Sequence, residues 1–228
     1  MFDIIVLTCE HATNFIPDAY TKYFMTNHEI LDTHQGYDIG ADLLAQSLSG
    51  QLSTEYLKPT VSRLLIDCNR SICNKSLISS CINPIDITTK ETIITGFYIP
   101  YRNTVSNRMK NLIDSGKKVL HFSVHSFTPI LNGIERDADI GILYDPKRPV
   151  EKEFATSFKK KLQQFDNSIV VKSNYPYKGT SDGFTTFLRT HCNSPDYCGI
   201  ELEVNQKIIF QSSLHELIGS ALRCYKKL

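Results

Sequence analysis

Four short apolar runs in this chain each end directly in ionisable or amide side chains. The runs, with the polar residues that follow them, are residues 4–7 with Glu10 and His11, 64–66 with Asp67, Asn69 and Arg70, 119–124 with His125, and 200 onward with Glu203. Buried parallel strands have nearly continuous apolar sequences, so the runs predict four strands of one sheet. Open α/β sheets bind ligands outside the carboxyl ends of their strands. The pattern therefore predicts one polar site assembled from distant parts of the sequence.

Helical patterns separate the predicted strands. Apolar residues recur at helical spacing from Asp38 to Gly50 and again after Pro149, which occupies the first-turn position that proline favours. Residues 71–95 show no clear period and predict a long irregular segment of the kind that often serves as a lid. Strands that alternate with helices predict an α/β fold of one domain over residues 1–228, with a mostly parallel central sheet and helices on both faces.

The balance of charge limits the classes of partner. The chain has 25 Lys and Arg residues and 24 Asp and Glu residues, which leaves a formal net charge of +1. Such a chain presents no general basic field for nucleic acid or for an anionic membrane surface. It also lacks an apolar stretch of the roughly 20 residues that a membrane span needs, and its first residues lack the positive charge of a signal peptide. We therefore expect a cytoplasmic protein with a small-molecule partner.

Two histidines are placed where metal ligands would be expected. His11 follows the first predicted strand and His125 ends a central one, so both side chains should lie at the same edge of the sheet. A catalytic zinc ion usually has three protein ligands, which leaves one position for a carboxylate. Asp38 and Glu10 are the candidates. Asp38 also has a simpler interpretation, as an acidic residue in the first turn of a helix, where it complements the helix dipole.

Two glutamates share one face of the last predicted strand. Glu201 and Glu203 are separated by one residue, so their side chains point to the same side of the sheet. A carboxylate is costly to bury unless it is paired, binds a metal or takes part in chemistry. One of the two is therefore expected to be catalytic, unless the strand lies at an exposed edge of the sheet.

Two further segments carry groups suited to an acidic substrate. Asn69 and Arg70 offer an amide and a bidentate guanidinium to a carboxylate, and Arg63 is a second cation near the same strand. A structural ion pair with a neighbouring aspartate is the alternative interpretation. Tyr177 and Lys178 lie in a glycine-containing loop that could cap the substrate, although an ordinary solvated turn would have the same composition.

Taken in order along the chain, these motifs resemble the N-formylglutamate amidohydrolase family. The matching segments are Glu10-His11, His34-Gln35-Gly36-Tyr37-Asp38, residues 62–70, Val124-His125-Ser126-Phe127, Asp139-Ile140-Gly141-Ile142, residues 174–179 and residues 199–206. That family is similar to the zinc carboxypeptidases and aspartoacylase, in which an Asp-x-Asn-Arg segment binds a substrate carboxylate and a strand glutamate is the general base. The match at residues 199–206 favours Glu203 over Glu201 as the base.

The resemblance implies a function and the roles of some candidate residues. It implies a phosphorylase/hydrolase-like fold, as in zinc exopeptidases, and a zinc-dependent amidohydrolase that cleaves the N-acyl amide of an amino acid such as N-formyl-L-glutamate in histidine degradation. It implies that Glu203 is the general base and that Asn69 and Arg70 bind a substrate carboxylate. From the residue types themselves we expect zinc binding by His11, Asp38 and His125, a catalytic role for Arg63, and substrate binding by Tyr177 and Lys178.

The sequence departs from its relatives at the metal site. The usual His-x-x-Glu ligand pair is absent, because Asn14 stands three positions after His11. Asp38 as the third ligand is therefore our own inference, and Glu10 is the alternative. A deacylase for other N-acyl amino acids, a zinc carboxypeptidase and a catalytically silent carboxylate-binding relative are the alternative functions.

Overall fold

A six-stranded sheet forms the centre of the protein in a computed structural model, which describes residues 1–82 and 84–227. Its strands are β1 (Ile4–Thr8), β2 (Glu55–Leu57), β3 (Val119–Phe127), β6 (Ile140–Leu143), β7 (Val171–Ser173) and β8 (Tyr197–Asn205), and a separate hairpin consists of β4 (Ile130–Leu131) and β5 (Ile134–Glu135). The α-helices are α1 (Asp18–Thr21), α2 (Ala41–Leu52), α3 (Ile87–Ile93), α4 (Ile99–Asp114), α5 (Pro149–Phe165), α6 (Phe184–Cys192) and α7 (Ser212–Arg223).

The order of the strands is β2-β1-β3-β8-β6-β7. The first four run parallel to one another, β6 runs antiparallel to β8, and β7 runs parallel to β6. This arrangement confirms the predicted mostly parallel sheet. Because β8 lies between β3 and β6, the interpretation of Glu201 and Glu203 as residues of an exposed edge strand is wrong.

Helices cover both faces of the sheet, as predicted. Side chains of α2, α5 and α7 pack in one hydrophobic cluster with Ile5 and Phe122, whereas side chains of α3, α4 and α6 pack in a second cluster with Val6 and Val119. Successive residues of a strand point to opposite faces, which explains this division. Within residues 1–82 and 84–227, each helix falls short of the length and hydrophobicity that a membrane crossing demands.

The two central strands are apolar on one face and largely polar near their carboxyl ends on the other. On β3, Leu120 and Phe122 join the first cluster, while Ser123 and His125 point to the other side. Strand β8 repeats the pattern, since Leu202 lies in the first cluster and the flanking glutamates do not. The polar residues of both strands therefore share one face, and the cavity described below lies on it.

The apolar run at residues 64–66 is not a strand, contrary to the prediction. Ser62 satisfies the backbone locally, because its carbonyl accepts hydrogen bonds from the N–H groups of Leu65 and Ile66 and its hydroxyl accepts one from Leu64. A tight turn replaces strand pairing here, although the three side chains are buried. The turn still brings the following Asp67 to Arg70 segment to the same edge of the sheet as the strand ends.

Two predicted helix boundaries are also wrong. Helix α2 begins at Ala41 and ends at Leu52, so Asp38 precedes the helix and Gly50 lies within it. Residues 71–95 are less irregular than their sequence indicates. Helix α3 begins at Ile87 after Asp86, whose carboxylate accepts a hydrogen bond from the Thr89 N–H, and it continues through a π-helical turn into α4.

Candidate active site

A cavity of about 570 Å³ opens at the carboxyl ends of β1, β3 and β8. Every residue to which the sequence assigned a role lines it: His11, Asp38, Arg63, Asn69, Arg70, His125, Tyr177, Lys178 and Glu203. Glu201 also lines it. The structure therefore brings together residues that are up to 192 positions apart, from His11 to Glu203, in one concave space.

His11, Asp38 and His125 meet at the bottom of this cavity. Oδ2 of Asp38 lies 3.3 Å from Nδ1 of His11 and 2.8 Å from Nδ1 of His125. One potential ligand atom from each residue lies within 4.8 Å of the others, and all three residues are buried. Two imidazole nitrogens and a carboxylate oxygen are the donors of many catalytic zinc sites. These three residues could hold a metal ion.

The other nitrogen of each imidazole faces a second acidic residue. Nε2 of His11 lies 2.8 Å from Oδ1 of Asp67, and Nε2 of His125 lies 3.2 Å from Oε2 of Glu10. Such outer carboxylates fix the orientation and tautomer of a metal-binding histidine and raise its basicity. They leave both Nδ1 atoms directed at Asp38, so this donor set fits a divalent metal ion.

The charges around Asp38 keep it ionised. Burial would raise the pKa of its carboxyl group, but His11 and His125 outweigh that effect and hold the pKa well below its usual range. Arg63 adds a hydrogen bond from Nη1 to Oδ1 at 3.3 Å. An ionised carboxylate is the form that binds a metal.

Glu10 has a structural role that the sequence did not reveal. Its carboxylate accepts hydrogen bonds from the hydroxyls of Tyr101 at 2.8 Å and Ser123 at 2.5 Å, in addition to its contact with His125. Burial would raise the pKa of Glu10, yet these contacts keep it well below the usual range. Glu10 thus lies behind His125, on the opposite side of the ring from Asp38. The alternation along β3 is the signal that could have placed Ser123 beside His125.

Glu203 has an unsatisfied carboxylate in a buried position. Its residue is 5% exposed, and Oε2 has no hydrogen-bond partner among residues 1–82 and 84–227. In the strand register Glu203 lies directly opposite His125. Burial is the main reason that the pKa of Glu203 rises to about 8. A carboxyl group with a pKa near neutrality, next to a set of metal-type donors, is suited to accept and return a proton.

Arg63 and Asp67 form part of the same ionic network. Nη2 of Arg63 donates to Oδ2 of Asp67 at 3.0 Å, so this segment contains the ion pair that was the alternative interpretation. The two hydrogen bonds from Arg63 to Asp38 and Asp67 use two of the five N–H groups of its guanidinium. Among the residues that the structure describes, the other three N–H groups have no hydrogen-bond partner.

Asn69 and Arg70 stand at one wall of the cavity. The Asn69 side-chain oxygen accepts a hydrogen bond from the Phe184 N–H at 2.7 Å, which fixes the side chain and leaves its NH₂ group as a donor. Nη1 of Arg70 donates to the Asp182 carbonyl at 3.0 Å. The Arg70 side chain is 38% exposed, so water reaches its guanidinium.

Tyr177 and Lys178 lie at the mouth of the cavity, where both are exposed. The Tyr177 hydroxyl accepts a hydrogen bond from Nη2 of Arg136 at 3.2 Å. Their loop approaches the sheet closely at Gly141, where any Cβ would overlap with the carbonyl oxygen of Tyr175. A glycine at position 141 is therefore needed to keep this loop against the site.

The family to which the chain belongs follows from its sequence as a whole. Residues 4–210 match the family described as FGase, N-formylglutamate amidohydrolase. The chain belongs to the N-formylglutamate amidohydrolase family. This result confirms the resemblance inferred from the motifs, and it makes the protein a hydrolase of the amidohydrolase class. No curated protein matches the chain significantly.

Two solved structures resemble this amidohydrolase over nearly its whole length. One is a gene product of Agrobacterium tumefaciens, with 27% sequence identity and a TM-score of 0.82 over 99% of this chain and 92% of that one. The other is an N-formylglutamate amidohydrolase from Ralstonia eutropha, with 14% identity and a TM-score of 0.71 over 98% of this chain and 92% of that one. At 14% identity the second likeness shows the fold alone.

Proposed function

We propose that this protein is a metal-dependent amidohydrolase that removes the N-acyl group from an amino acid, with N-formyl-L-glutamate as the reference substrate of its family. The observation that carries the proposal is the convergence of His11, Asp38 and His125 beside the unpaired carboxylate of Glu203 in one cavity. We further propose zinc as the metal and residues 1–228 as a single functional domain.

The metal would be held by His11, Asp38 and His125, while Asp67 and Glu10 fix the two imidazole rings from behind. When bound, a zinc ion lowers the pKa of water and polarises a carbonyl group. Glu203 would accept the proton of the attacking water at its carboxylate and then deliver it to the nitrogen of the leaving amine. The C–N bond breaks as this proton is transferred, and the products are the free amino acid and, from a formyl substrate, formate.

Arg63 would stabilise the negative charge that develops on the carbonyl oxygen. Its guanidinium is held in place by Asp38 and Asp67, and a preorganised donor of this kind typically contributes ~10² to 10³ in rate. Asn69 and Arg70 would bind the α-carboxylate through the free NH₂ group of the amide and the guanidinium. Tyr177 and Lys178 would cover the substrate from the mouth of the cavity.

A panel of N-acyl amino acids tests this function directly. The protein, stripped with a chelator and then supplied with zinc, is assayed for release of formate or free amine. We expect hydrolysis of at least one N-acyl amino acid that disappears with the metal and returns with it. Zinc-independent turnover would contradict the metal assignment, and cleavage of C-terminal residues from longer peptides in place of these substrates would identify a carboxypeptidase. A protein that binds the panel without turnover would be the catalytically silent relative.

The carboxylate-binding role of Asn69 and Arg70 predicts a preference for a free α-carboxylate. We expect kcat/KM for the best substrate to exceed that of its α-amide by ~10², because hydrogen bonds between charged groups each contribute about 1.5–3 kcal/mol. The partial exposure of Arg70 keeps this ratio from being larger. In Arg70→Ala the acid and the amide should become similar. Equal rates for acid and amide in the wild type would rule out this role.

A further inference from the structure

Glu201 lies further from the carboxyl end of β8 than Glu203 and has no role in the reaction proposed above. On β8 it pairs with Ser123 on one side and Leu143 on the other, whereas Glu203 pairs with His125 and Gly141. The strand ends at Asn205, so Glu201 lies one alternation further from the carboxyl edge of the sheet. Its residue is 9% exposed, and it lines the cavity.

The carboxylate of Glu201 is a neighbour of the residues proposed to bind the substrate carboxylate. A Cβ built on Gly183 would lie 3.4 Å from Oδ1 of Asn69 and 3.7 Å from Oε1 of Glu201. Both polar groups thus surround the same small residue. A substrate whose α-carboxylate is bound at Asn69 and Arg70 has its side chain within reach of this corner of the cavity.

No cation of the protein pairs with Glu201 in the part of the chain that the structure describes. The charges of His125 and Arg189 lower the pKa of Glu201 less than burial raises it. His125 is bound by Glu10 and Asp38. Arg189 is bound by Glu151 at 3.0 Å and by the carbonyl groups of Gly179 and Gly199. The neutral hydroxyl of Thr185 also stabilises the Glu201 carboxylate.

The other cationic side chains that line the cavity contact other groups or are exposed to solvent. Arg63 is paired with two aspartates, and Lys178 is exposed at the mouth. Arg70 lies 3.8 Å from Asp67 and donates a hydrogen bond to the Asp182 carbonyl. A carboxylate that is more than nine-tenths buried without a cationic partner carries a desolvation cost that a positively charged ligand would offset. An acidic side chain at this position would instead meet two carboxylates, Glu201 and Glu203.

We propose that Glu201 forms a subsite for a cationic side chain, so that the substrates are N-acyl derivatives of lysine-like amino acids in preference to N-acyl glutamate. This inference rests on the function proposed above and specifies its substrate class. A hydrogen bond between two charged groups, at a carboxylate whose residue is 9% exposed, would distinguish the cationic substrate from a neutral one of the same shape.

Nα-formyl-L-lysine and Nα-formyl-L-norleucine form a matched pair for the test, because they differ in the terminal ammonium group. In the zinc-loaded wild-type protein we expect kcat/KM for the lysine derivative to be about 10- to 100-fold higher. In Glu201→Gln, which keeps the shape but loses the charge, the ratio should fall to about 1 to 3. Glu153→Gln, an exposed residue of α5, is the matched control and should retain the wild-type ratio. Equal or lower kcat/KM for the lysine derivative in the wild type would overturn the proposal.

A binding measurement separates this proposal from the function on which it rests. Calorimetric titration of Glu203→Gln with the same two compounds measures affinity without turnover, and we expect the lysine derivative to bind about 10- to 100-fold more tightly. If this preference is present while the wild type hydrolyses no N-acyl amino acid, the proposed function fails and the subsite stands. If the wild type hydrolyses both derivatives with equal kcat/KM, and Glu203→Gln binds both with equal affinity, the function stands and the subsite is refuted.

Discussion

Glu203→Gln should lower kcat by about 10² to 10⁴ and leave zinc bound, because the amide keeps the shape of the side chain but cannot accept a proton. The carboxylate that it replaces is buried, lies opposite His125 in the sheet, and has an oxygen without a hydrogen-bond partner. The measurements are steady-state kinetics on the best substrate of the panel and zinc content of the purified variant by mass spectrometry.

Two outcomes would reassign Glu203. Substantial residual activity would transfer the base role to another group, with Glu201 the nearest candidate on the same strand face. Loss of both zinc and activity would make Glu203 a metal ligand instead. Glu153→Gln makes the same chemical change at an exposed position of α5, and it should keep both zinc and activity.

Asp38→Asn should weaken zinc binding by more than about 10²-fold. Substitutions of groups that only orient a metal ligand typically cost 10- to 100-fold in affinity, and Asp38 is proposed as a ligand itself. Its Oδ2 also lies between the Nδ1 atoms of His11 and His125. The neutral amide therefore removes the negative charge that would attract the metal ion to these donors. Competition with a chromogenic chelator measures the zinc affinity, and activity should follow the occupancy.

Asp42→Asn is the matched control for Asp38. Asp42 lies four residues further along, in the first turn of α2, and its carboxylate binds Lys58 and the hydroxyl of Tyr56 away from the histidines. The control should retain wild-type zinc affinity. If Asp38→Asn binds zinc as tightly as the wild type, Asp38 is not a ligand, and its contacts with the two histidines serve only to hold their rings.

The sequence by itself determined the type of fold and the side of the sheet on which the site lies. Buried strands and amphipathic helices leave local periodic patterns, and these patterns predicted β1, β3 and β8 with His11, His125 and Glu203 at or near their carboxyl ends. The same reasoning failed at residues 64–66, because a three-residue apolar run has no period long enough to distinguish a buried strand from a buried turn.

Only the tertiary structure decided which of these groups meet, and how. Asp38 contacts His11 and His125, which are 27 and 87 residues away, while Glu10, adjacent to His11 in sequence, lies behind His125. Glu201 has no ion pair in the described part of the chain, and this likewise depends on α5 and α6, since Glu151 binds the guanidinium of Arg189. The periodicity of apolar residues in a helix or strand specifies the face of that element on which a side chain lies. The atom that a side chain contacts depends on how distant elements pack, and that packing leaves no local pattern in the sequence.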